Sequence, residues 1–197
     1  IRTTGIPESK LIELISSPIR SEHDCEIGYY PSLYGVDIRI SSNKIKYMQS
    51  LQDQLTTMLG KAVFALGDDS IEEIVVNKAL ENDISLSIAE SCTGGLIGHR
   101  ITQISGSSKI FKGSVVVYSN SSKVNLLGVD ENCITKHGAV SEETAKEMAQ
   151  KVRQMFSSKL GLSITGIAGP DGGTKEKPIG LTYIGISTKN ETKVRKY

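Results

Sequence analysis

The sequence predicts an α/β fold, namely a three-layer α/β/α sandwich with a largely parallel sheet, preceded by a small α+β domain. Two observations lead to this class. Beyond about residue 66, short β-rich runs alternate with segments of helical periodicity. The first 65 residues instead place a strand hairpin between two helical segments. We therefore predict a small domain over residues 1–65 and a larger domain over residues 66–197.

Three local signals define the small domain. Apolar residues recur at helical spacing over residues 8–15, and Pro18 is expected to end that helix. Two strand-like runs, 25–30 and 36–40, flank a turn that contains proline and glycine, which indicates a hairpin. A second helix is expected to follow and to end near Leu59.

Strands and helices alternate in the larger domain. Ser70 and Ser141 are expected to cap amphipathic helices. The valines at 115–117, in a run that ends at Tyr118, indicate a strand buried on both faces. The other predicted elements are strands at 84–89, 162–164 and 181–187 and helices at 96–104 and 123–127. Because the carboxyl ends of parallel strands meet at one sheet edge, the loops that follow them are expected to share a site.

Composition argues against several classes of protein. The chain has 23 lysines and arginines against 22 aspartates and glutamates, so it has no strong field to attract nucleic acid or an anionic membrane. The three cysteines are far apart and form no C-x-x-C pair, which indicates a reducing compartment rather than a disulfide framework. No apolar run is long enough to span a membrane. We expect a cytoplasmic protein without a nucleic-acid or membrane partner.

The segment A-E-S-C-T-G-G at residues 89–95 joins a predicted strand to a predicted helix. Such a turn projects the Ser91 hydroxyl from the sheet edge, and the amides that follow it could stabilise an oxyanion. Gly94 and Gly95 would allow a ligand to approach the backbone closely. The same geometry suits a phosphate group, and serine and threonine are also common helix caps. The residues alone leave three roles open: nucleophile, phosphate cradle and cap.

A serine nucleophile needs a base, because its hydroxyl reacts poorly at neutral pH. Tyr118 ends one predicted strand and Lys123 opens the next helix, which could bring both to the sheet edge of Ser91. A nearby ammonium favours the phenolate form of tyrosine, so Tyr118 could take the proton, and a desolvated Lys123 could take it directly. The pattern does not choose between them. A packing tyrosine and a solvated lysine are the structural alternatives.

The histidines are less well placed than these residues. His23 belongs to the small domain, His99 lies two helical turns beyond Ser91, and His137 is expected on a loop. Surface or capping roles are therefore expected for all three. No H-E-x-x-H or comparable cluster is present, so we expect no metal site.

Two neighbours of Ser91 and one long loop complete the candidate site. Cys92 is expected to be a small buried residue that points away from Ser91. Glu90 could form hydrogen bonds within the site, hold Lys123 or face solvent. The glycine-rich loop at 165–175 is too long for a plain connection and is predicted to bind a ligand. Together the two glycine-rich segments indicate a small anionic ligand.

Four motifs together closely resemble the C-terminal domain of the CinA family. They are A-E-S-C-T-G-G at 89–95, G-S-V-V-V-Y-S-N-S-S-K at 113–123, H-G-A-V-S at 137–141, and T-G-I-A-G-P at 165–170 with K-P-I-G at 177–180. The resemblance covers residues 70–188. Residues 1–65 resemble the small linker domain that precedes this domain in longer members.

The resemblance implies nicotinamide-nucleotide amidase activity, which converts nicotinamide mononucleotide and water to nicotinate mononucleotide and ammonia in pyridine nucleotide salvage. It implies that Ser91 is the nucleophile, that a covalent acyl intermediate forms, and that Tyr118 and Lys123 activate the serine, with no metal or cofactor. The residues then expected to hold the carboxamide oxygen and the phosphate are Thr93, Gly94, Gly95, Thr165, Gly166, Gly169 and Gly172.

Two features depart from the family pattern. Ser105 stands where members commonly have proline, a change expected to alter only loop stiffness. The family's domain usually continues past its last strand into a helical segment that bears arginine, whereas this chain begins at Ile1 and ends at Tyr197. We therefore expect it to be a fragment.

Two other functions stay open beside the amidase. One is a non-catalytic nucleotide-binding or regulatory module in which both glycine-rich segments grip phosphates. The other is a hydrolase of a different amide. Because small α/β domains with apolar helix faces often pair, we also expect a homodimer.

Overall fold

The described part of the chain forms two β-sheets, and none of its strands contributes to both. The computed structural model describes residues 1–21, 25–32 and 34–197. These residues divide into two units, Ile1–Ile74 and Val75–Tyr197. The division falls within the helix Ile71–Glu81, whereas the boundary predicted from the sequence lies ahead of that helix.

The first unit is a four-stranded antiparallel sheet with two helices, which confirms the predicted α+β class. The strand order is β2-β3-β1-β4. The elements are β1 (Arg2–Thr3), α1 (Glu8–Ser21), β2 (Glu26–Ser32), β3 (Gly35–Ser41), α2 (Ile45–Leu59) and β4 (Val63–Ala65). The predicted hairpin is the β2–β3 pair. β1 and β4 were not predicted, because strands of 2 and 3 residues are too short to show an alternating pattern.

One apolar core holds the first unit together. Its buried residues come from α1, β3 and α2 and are Leu11, Ile15, Val36, Ile38, Leu51, Leu55 and Leu59. The prediction that Pro18 ends α1 is wrong, since the helix continues to Ser21. A proline removes one backbone N–H donor and bends a helix, but it does not have to end it. His23 lies outside the described residues.

The second unit is a five-stranded sheet with helices on both faces. The strand order is β6-β5-β7-β8-β9. The elements are α3 (Ile71–Glu81), β5 (Leu86–Glu90), α4 (Leu96–Thr102), β6 (Phe111–Val116), α5 (Asn120–Asn125), α6 (Glu131–His137), α7 (Glu142–Met155), β7 (Leu160–Gly166), β8 (Thr182–Ser187) and β9 (Thr192–Lys196). The predicted three-layer sandwich is confirmed.

The sheet is parallel over only part of its width. β5 pairs in parallel with β6 and β7, whereas β7 pairs antiparallel with β8, and β8 with β9. The prediction of a largely parallel sheet therefore describes three strands. The chain between β7 and β8 contains no helix, so it cannot make the crossover that a parallel neighbour requires, and β8 returns antiparallel.

Alternate residues of β5 face two different cores. Leu86 and Ile88 pack with residues of α3 and α4, and Ala89 packs with residues of α6 and α7. All five residues of β5 are buried, because helices cover both faces of this strand. β5 therefore fixes Ser91, the next residue, between the two layers.

The helix caps form largely as the sequence predicts. The Glu73 N–H donates to Ser70 Oγ at 3.2 Å, and the Ser70 N–H donates to Glu73 Oε2 at 2.6 Å. The Thr144 N–H donates to Ser141 Oγ at 3.2 Å. Ser119 caps the helix predicted at 123–127, but this helix, α5, starts at Asn120, so Lys123 lies within it rather than opening it.

The valine run differs from its prediction. β6 is an edge strand, and it ends at Val116, whose side chain is exposed. Val117 is buried, but it lies beyond the strand. A run of three valines does not distinguish an edge strand from a central one, because periodicity alone does not report the number of neighbours.

We predict that Ile88→Ala lowers the free energy of unfolding of the second unit by about 2–5 kcal/mol, because it leaves a cavity under a fully buried side chain. Ile186→Ala, at an exposed position of β8, is the matched control and should cost less than about 1 kcal/mol. Urea denaturation measures both values. Equal losses in the two variants would show that β5 is not the centre of this core.

Candidate active site

Ser91 follows β5 directly and begins the turn that leads into α4. Its N–H donates to the carbonyl of Ile164 in β7 at 3.1 Å, which continues the strand pairing by one residue and fixes the start of the turn. The side chain is 6% exposed. The hydroxyl therefore lies at the carboxyl end of the parallel strands, shielded from bulk water.

Lys123 is the partner of Ser91. Its side chain extends from α5 and is 1% exposed. Its Nζ donates to Ser91 Oγ at 3.0 Å and to two backbone carbonyl oxygens, those of Val117 at 2.9 Å and Tyr118 at 3.0 Å. An ammonium group has three N–H donors, so all three are used, and none of these contacts is with a carboxylate.

Burial without a carboxylate favours the neutral amine. Desolvation lowers the pKa of Lys123 below its ordinary value of 10.5, and a smaller interaction with the Cys92 thiol acts in the opposite direction. In the neutral amine, two N–H groups still donate to the carbonyls of Val117 and Tyr118. In that form its lone pair is free to accept a hydrogen bond from the Ser91 hydroxyl. The two carbonyls thus fix the position of the amine beside Ser91.

Tyr118 contacts Lys123 through its backbone carbonyl and not through its side chain. Its carbonyl accepts the hydrogen bond from Lys123, while its side chain is 73% exposed. Among the described residues, no hydrogen bond joins the phenol to Ser91 or Lys123. Of the three residues predicted to be catalytic, the structure therefore brings two into side-chain contact. The chain leaves β6 at Val116, so the Tyr118 side chain is not held in the sheet.

Glu90 anchors the turn from inside. It is 0% exposed, and Oε2 accepts from the N–H groups of Gly95 at 3.1 Å and Ile97 at 3.0 Å. Oε1 accepts from the Gly98 N–H at 2.8 Å and from the Ser114 hydroxyl at 3.1 Å. This carboxylate occupies the positive N-terminus of α4, where a bound phosphate would otherwise lie.

Two amides of the turn, those of Cys92 and Thr93, interact with the Cys92 thiol but bond to no oxygen of the described residues. The Gly94 N–H donates to the Ser91 carbonyl at 3.1 Å, and the Gly95 N–H is used by Glu90. Within the part of the chain that the structure describes, no oxygen accepts from the N–H groups of Cys92 and Thr93. The Thr93 hydroxyl is also buried without a hydrogen-bond partner. Of the three turn residues predicted to bind substrate, Thr93 has a hydroxyl without a partner, whereas the amides of both glycines are satisfied.

Gly94 and Gly95 have a structural role in the turn. Their φ angles are 60° and 101°, in the left-handed region that glycine adopts without strain. This backbone turns the chain between Ser91 and α4 and directs the later amides towards Glu90.

Cys92 links the turn to the glycine-rich loop. A side chain at Gly166 would come 3.2 Å from the Cys92 sulfur, so the end of β7 lies against the turn. Burial raises the pKa of the Cys92 thiol, and the N–H groups of Cys92 and Thr93 and the charge of Lys123 act more weakly in the opposite direction. Cys92 is half-buried rather than fully buried as expected, and its raised pKa disfavours the thiolate that a cysteine nucleophile needs.

The glycine-rich loop is held by Lys177. Its Nζ donates to the carbonyls of His137 and Val140, both at 2.8 Å, and so ties the loop to the connection between α6 and α7. A side chain at Gly138 would come 2.9 Å from this Nζ. Although the K-P-I-G motif was noted, Lys177 was not predicted as a site residue, because a sequence does not show which carbonyls a lysine meets.

The other loop residues predicted to bind substrate differ in whether protein atoms already contact them. Thr165 is buried in β7, and its hydroxyl donates to the Ala139 carbonyl at 2.8 Å. Gly169 lies under Ile179, whose Cγ2 would be 2.7 Å from an added side chain. Gly172 faces open space. The hydroxyl of Thr165 is therefore already bonded, whereas Gly172 remains open to a ligand.

Neither of the two described histidines forms a hydrogen bond with Ser91. His99 is exposed on α4. His137 is the last residue of α6 rather than part of a loop, and its Nδ1 lies 3.3 Å from Glu143 Oε1. The Asp130 cap and the acidic first turn that start α6 were not recognised in the sequence.

The described residues contain no group of three histidine, cysteine, aspartate or glutamate side chains placed to hold a metal ion. None of their helices is long and apolar enough to cross a membrane. A cavity of about 670 Å³ opens in the first unit, lined in part by Arg2, Asp37 and Arg39. None of the predicted catalytic or substrate-binding residues lines this cavity.

Comparisons with known proteins show the family of this chain. Residues 68–197 match the CinA C-terminal domain, and residues 1–65 match the KH domain of damage-inducible protein CinA. The chain belongs to the CinA family. It is 37% identical to a putative competence-damage inducible protein of Thermoanaerobacter pseudethanolicus and 39% identical to a CinA-like protein of Kosmotoga olearia, each over 100% of this chain and 49% of the relative. It thus spans about half the length of these CinA relatives.

Solved CinA-family structures share the fold. A competence/damage-inducible protein from Agrobacterium tumefaciens is 36% identical with a TM-score of 0.62, covering 68% of this chain and 83% of that one. A competence or damage-inducible protein from Enterobacter asburiae is 28% identical with the same TM-score of 0.62, covering 66% and 84%.

We predict that Glu90→Gln lowers the free energy of unfolding of the second unit by about 1–3 kcal/mol, because an amide NH₂ replaces an oxygen that accepts hydrogen bonds. Glu142→Gln, at an exposed position in the first turn of α7, should cost less than about 0.5 kcal/mol. Chemical denaturation measures both. A neutral Glu90→Gln substitution would contradict the anchoring role.

We predict that Lys177→Met loosens the glycine-rich loop, because two hydrogen bonds from a charged donor are lost. Amide hydrogen exchange over residues 168–176 should become at least about tenfold faster. Lys175→Met, at an exposed position in the same loop, removes the same charge and should leave exchange unchanged. Unchanged exchange in Lys177→Met would show that these bonds do not hold the loop.

Proposed function

We propose that this chain is an amidohydrolase in which Ser91 is the nucleophile and Lys123 is the general base, acting on the carboxamide of nicotinamide mononucleotide. One observation carries the proposal. The Lys123 amine is buried 3.0 Å from Ser91 Oγ, and its other two hydrogen bonds go to backbone carbonyls. A lysine whose role was to bind phosphate would be expected to keep its charge. A desolvated amine beside a serine suits proton transfer.

In the first half of the reaction, Ser91 Oγ bonds to the carboxamide carbon while its proton passes to the neutral Lys123 Nζ. The carbonyl oxygen takes up negative charge in the tetrahedral intermediate. The resulting ammonium of Lys123 then gives a proton to the amide nitrogen as the carbon–nitrogen bond breaks. Ammonia leaves, and an acyl ester remains on Ser91.

In the second half, water replaces ammonia. Lys123 takes a proton from water as its oxygen bonds to the acyl carbon, and it returns that proton to Ser91 Oγ as the ester bond breaks. The products are nicotinate mononucleotide and the free serine. The proposed cycle needs no metal and no cofactor.

Donors in the turn that bond to no oxygen in the described part of the chain support this chemistry. The N–H groups of Cys92 and Thr93 follow the nucleophile directly, which is a common position for amides that stabilise an oxyanion. The Thr93 hydroxyl, buried without a partner, offers a further hydrogen bond to the carboxamide.

We propose that the glycine-rich loop binds the phosphate of the substrate. Glu90 already fills the N-terminus of α4 with negative charge, which disfavours a second anion there. This contact also argues against the alternative of a non-catalytic module that grips phosphate at the Ser91 turn. Gly172, which faces open space, is the loop position that we propose lies beside the substrate.

The choice of nicotinamide mononucleotide rests on the family resemblance. The proposal includes no nucleic-acid partner. The KH domains that clamp nucleic acid do so with a G-x-x-G loop, and residues 1–65 contain no such motif. A homodimer remains a prediction.

Ammonia release from nicotinamide mononucleotide tests the proposal. Ser91→Ala and Lys123→Met should each lower kcat by at least about 1,000-fold, whereas Ser121→Ala, an exposed serine of α5, should retain full activity. Tyr118→Phe should cost less than about tenfold, because removing an exposed hydroxyl leaves the backbone contact to Lys123 in place. Full activity in Ser91→Ala would overturn the mechanism, and a collapse in Tyr118→Phe would assign the base to the phenol.

A further inference from the structure

A polar pocket of about 360 Å³ lies between α7 and the turn that joins β8 to β9. α7 contributes Lys146, Gln150 and Arg153 to its lining, and the turn contributes Lys189 and Glu191. Its volume falls in the range of small-molecule sites, which is roughly 300–1,000 Å³. Neither the family resemblance nor the proposed reaction uses any of these residues.

The pocket carries an excess of positive charge. Three cations line it, Lys146, Arg153 and Lys189, against one carboxylate, Glu191. That carboxylate already pairs with Lys193, whose Nζ lies 2.8 Å from Glu191 Oε1. Among the described residues, no carboxylate forms a salt bridge with any of the three lining cations. The pocket therefore favours an anion.

A chain of hydrogen bonds fixes the guanidinium of Arg153. Its Nε donates to Ser187 Oγ at 3.3 Å, and Ser187 is buried. The same Ser187 oxygen accepts from Thr192 Oγ1 at 3.0 Å, which in turn accepts from Gln150 Nε2 at 3.2 Å. These contacts use Nε and leave both terminal nitrogens of the guanidinium without a described partner. Those nitrogens form the planar fork that binds phosphate or carboxylate oxygens in pairs.

This pocket is separate from the Ser91 centre. Ser187 pairs with Gly161 at the start of β7, whereas Gly166, at the end of β7, lies against the Ser91 turn. Five residue steps of strand separate these positions, or about 16 Å. The two sites therefore open at opposite ends of the sheet. The dipole of α7 accounts for a cation in its last turn at Arg153, but not for Lys189 on the facing turn.

We propose that this pocket binds a small molecule bearing two or more phosphate groups, with the Arg153 fork and the ammonium groups of Lys146 and Lys189 holding the phosphate oxygens. Two phosphates supply enough negative charge to meet three cations that lie on two elements. The site does not depend on the amidase reaction, and its occupant is not the proposed substrate, which carries one phosphate.

Titration calorimetry on the whole chain tests this site, with inorganic pyrophosphate and adenosine diphosphate as separate probes. We expect saturable binding that Arg153→Met weakens at least about tenfold and Lys189→Met weakens about threefold or more. Lys151→Met, on the same helix but outside the pocket, removes the same charge and should change affinity less than about twofold. Lys189 is exposed on the turn, so its variant also tests the site if Arg153→Met fails to fold.

The two probes identify the form of the ligand. Binding of both assigns recognition to the phosphates alone, and binding of adenosine diphosphate only assigns a nucleotide to the pocket. No saturable binding of either probe would overturn the proposal. Equal affinity in the wild type and Lys189→Met would also overturn it. Ser91→Ala should bind both probes as the wild type does, so failure here is distinct from failure of the proposed amidase.

Discussion

The Lys123 amine is buried beside Ser91 without a carboxylate to stabilise its charge, and the proposed chemistry depends on this arrangement. Burial of an ammonium is costly unless the group is paired or loses its proton. Among the described residues, the hydrogen bonds of this amine go to the Ser91 hydroxyl and to the carbonyls of Val117 and Tyr118, which the neutral form can also use. The break between β6 and α5 is what exposes those two carbonyls to the amine. Local chain geometry thus supplies both the orientation and the lowered pKa of the base.

The Ser91 turn contains a buried acidic group, Glu90, close to the buried basic group Lys123, and each of the two has its own hydrogen-bond partners. Glu90 is buried one residue before the proposed nucleophile, but its oxygens face the amides of α4 and Ser114 rather than Lys123. The carboxylate is satisfied by backbone donors, so it does not need the amine as a partner. If Glu90 instead paired with Lys123, it would stabilise the ammonium and raise the pKa of the base. Separate partners for the two buried groups keep the amine available to Ser91.

Sequence patterns predicted the parts of this structure that local chemistry determines. The Ser91 turn, the caps at Ser70 and Ser141 and the three layers follow from periodicity and capping residues. The antiparallel return of β8 and the exposed edge at Val116 depend on which strands are neighbours, which no local pattern reports. The same limit applies to the site, where residue types indicated Ser91 and Lys123 correctly as neighbours. They could not show that Tyr118 accepts a hydrogen bond from Lys123 through its carbonyl, or that Glu90 accepts hydrogen bonds from the first amides of α4.

The titration of Lys123 observed by NMR, with its signal assigned by its loss in Lys123→Met, tests the central claim most directly. The account predicts a pKa below 10.5, because the folded protein favours the neutral amine. Between the folded and unfolded pKa values of Lys123, the unfolded chain binds more protons than the folded protein. Burial of Lys123 therefore lowers the free energy of unfolding by its full amount below the folded pKa. This loss disappears as the pH rises towards 10.5. A pKa at or above 10.5 would mean that the amine stays charged and cannot take the Ser91 proton, and it would contradict the account.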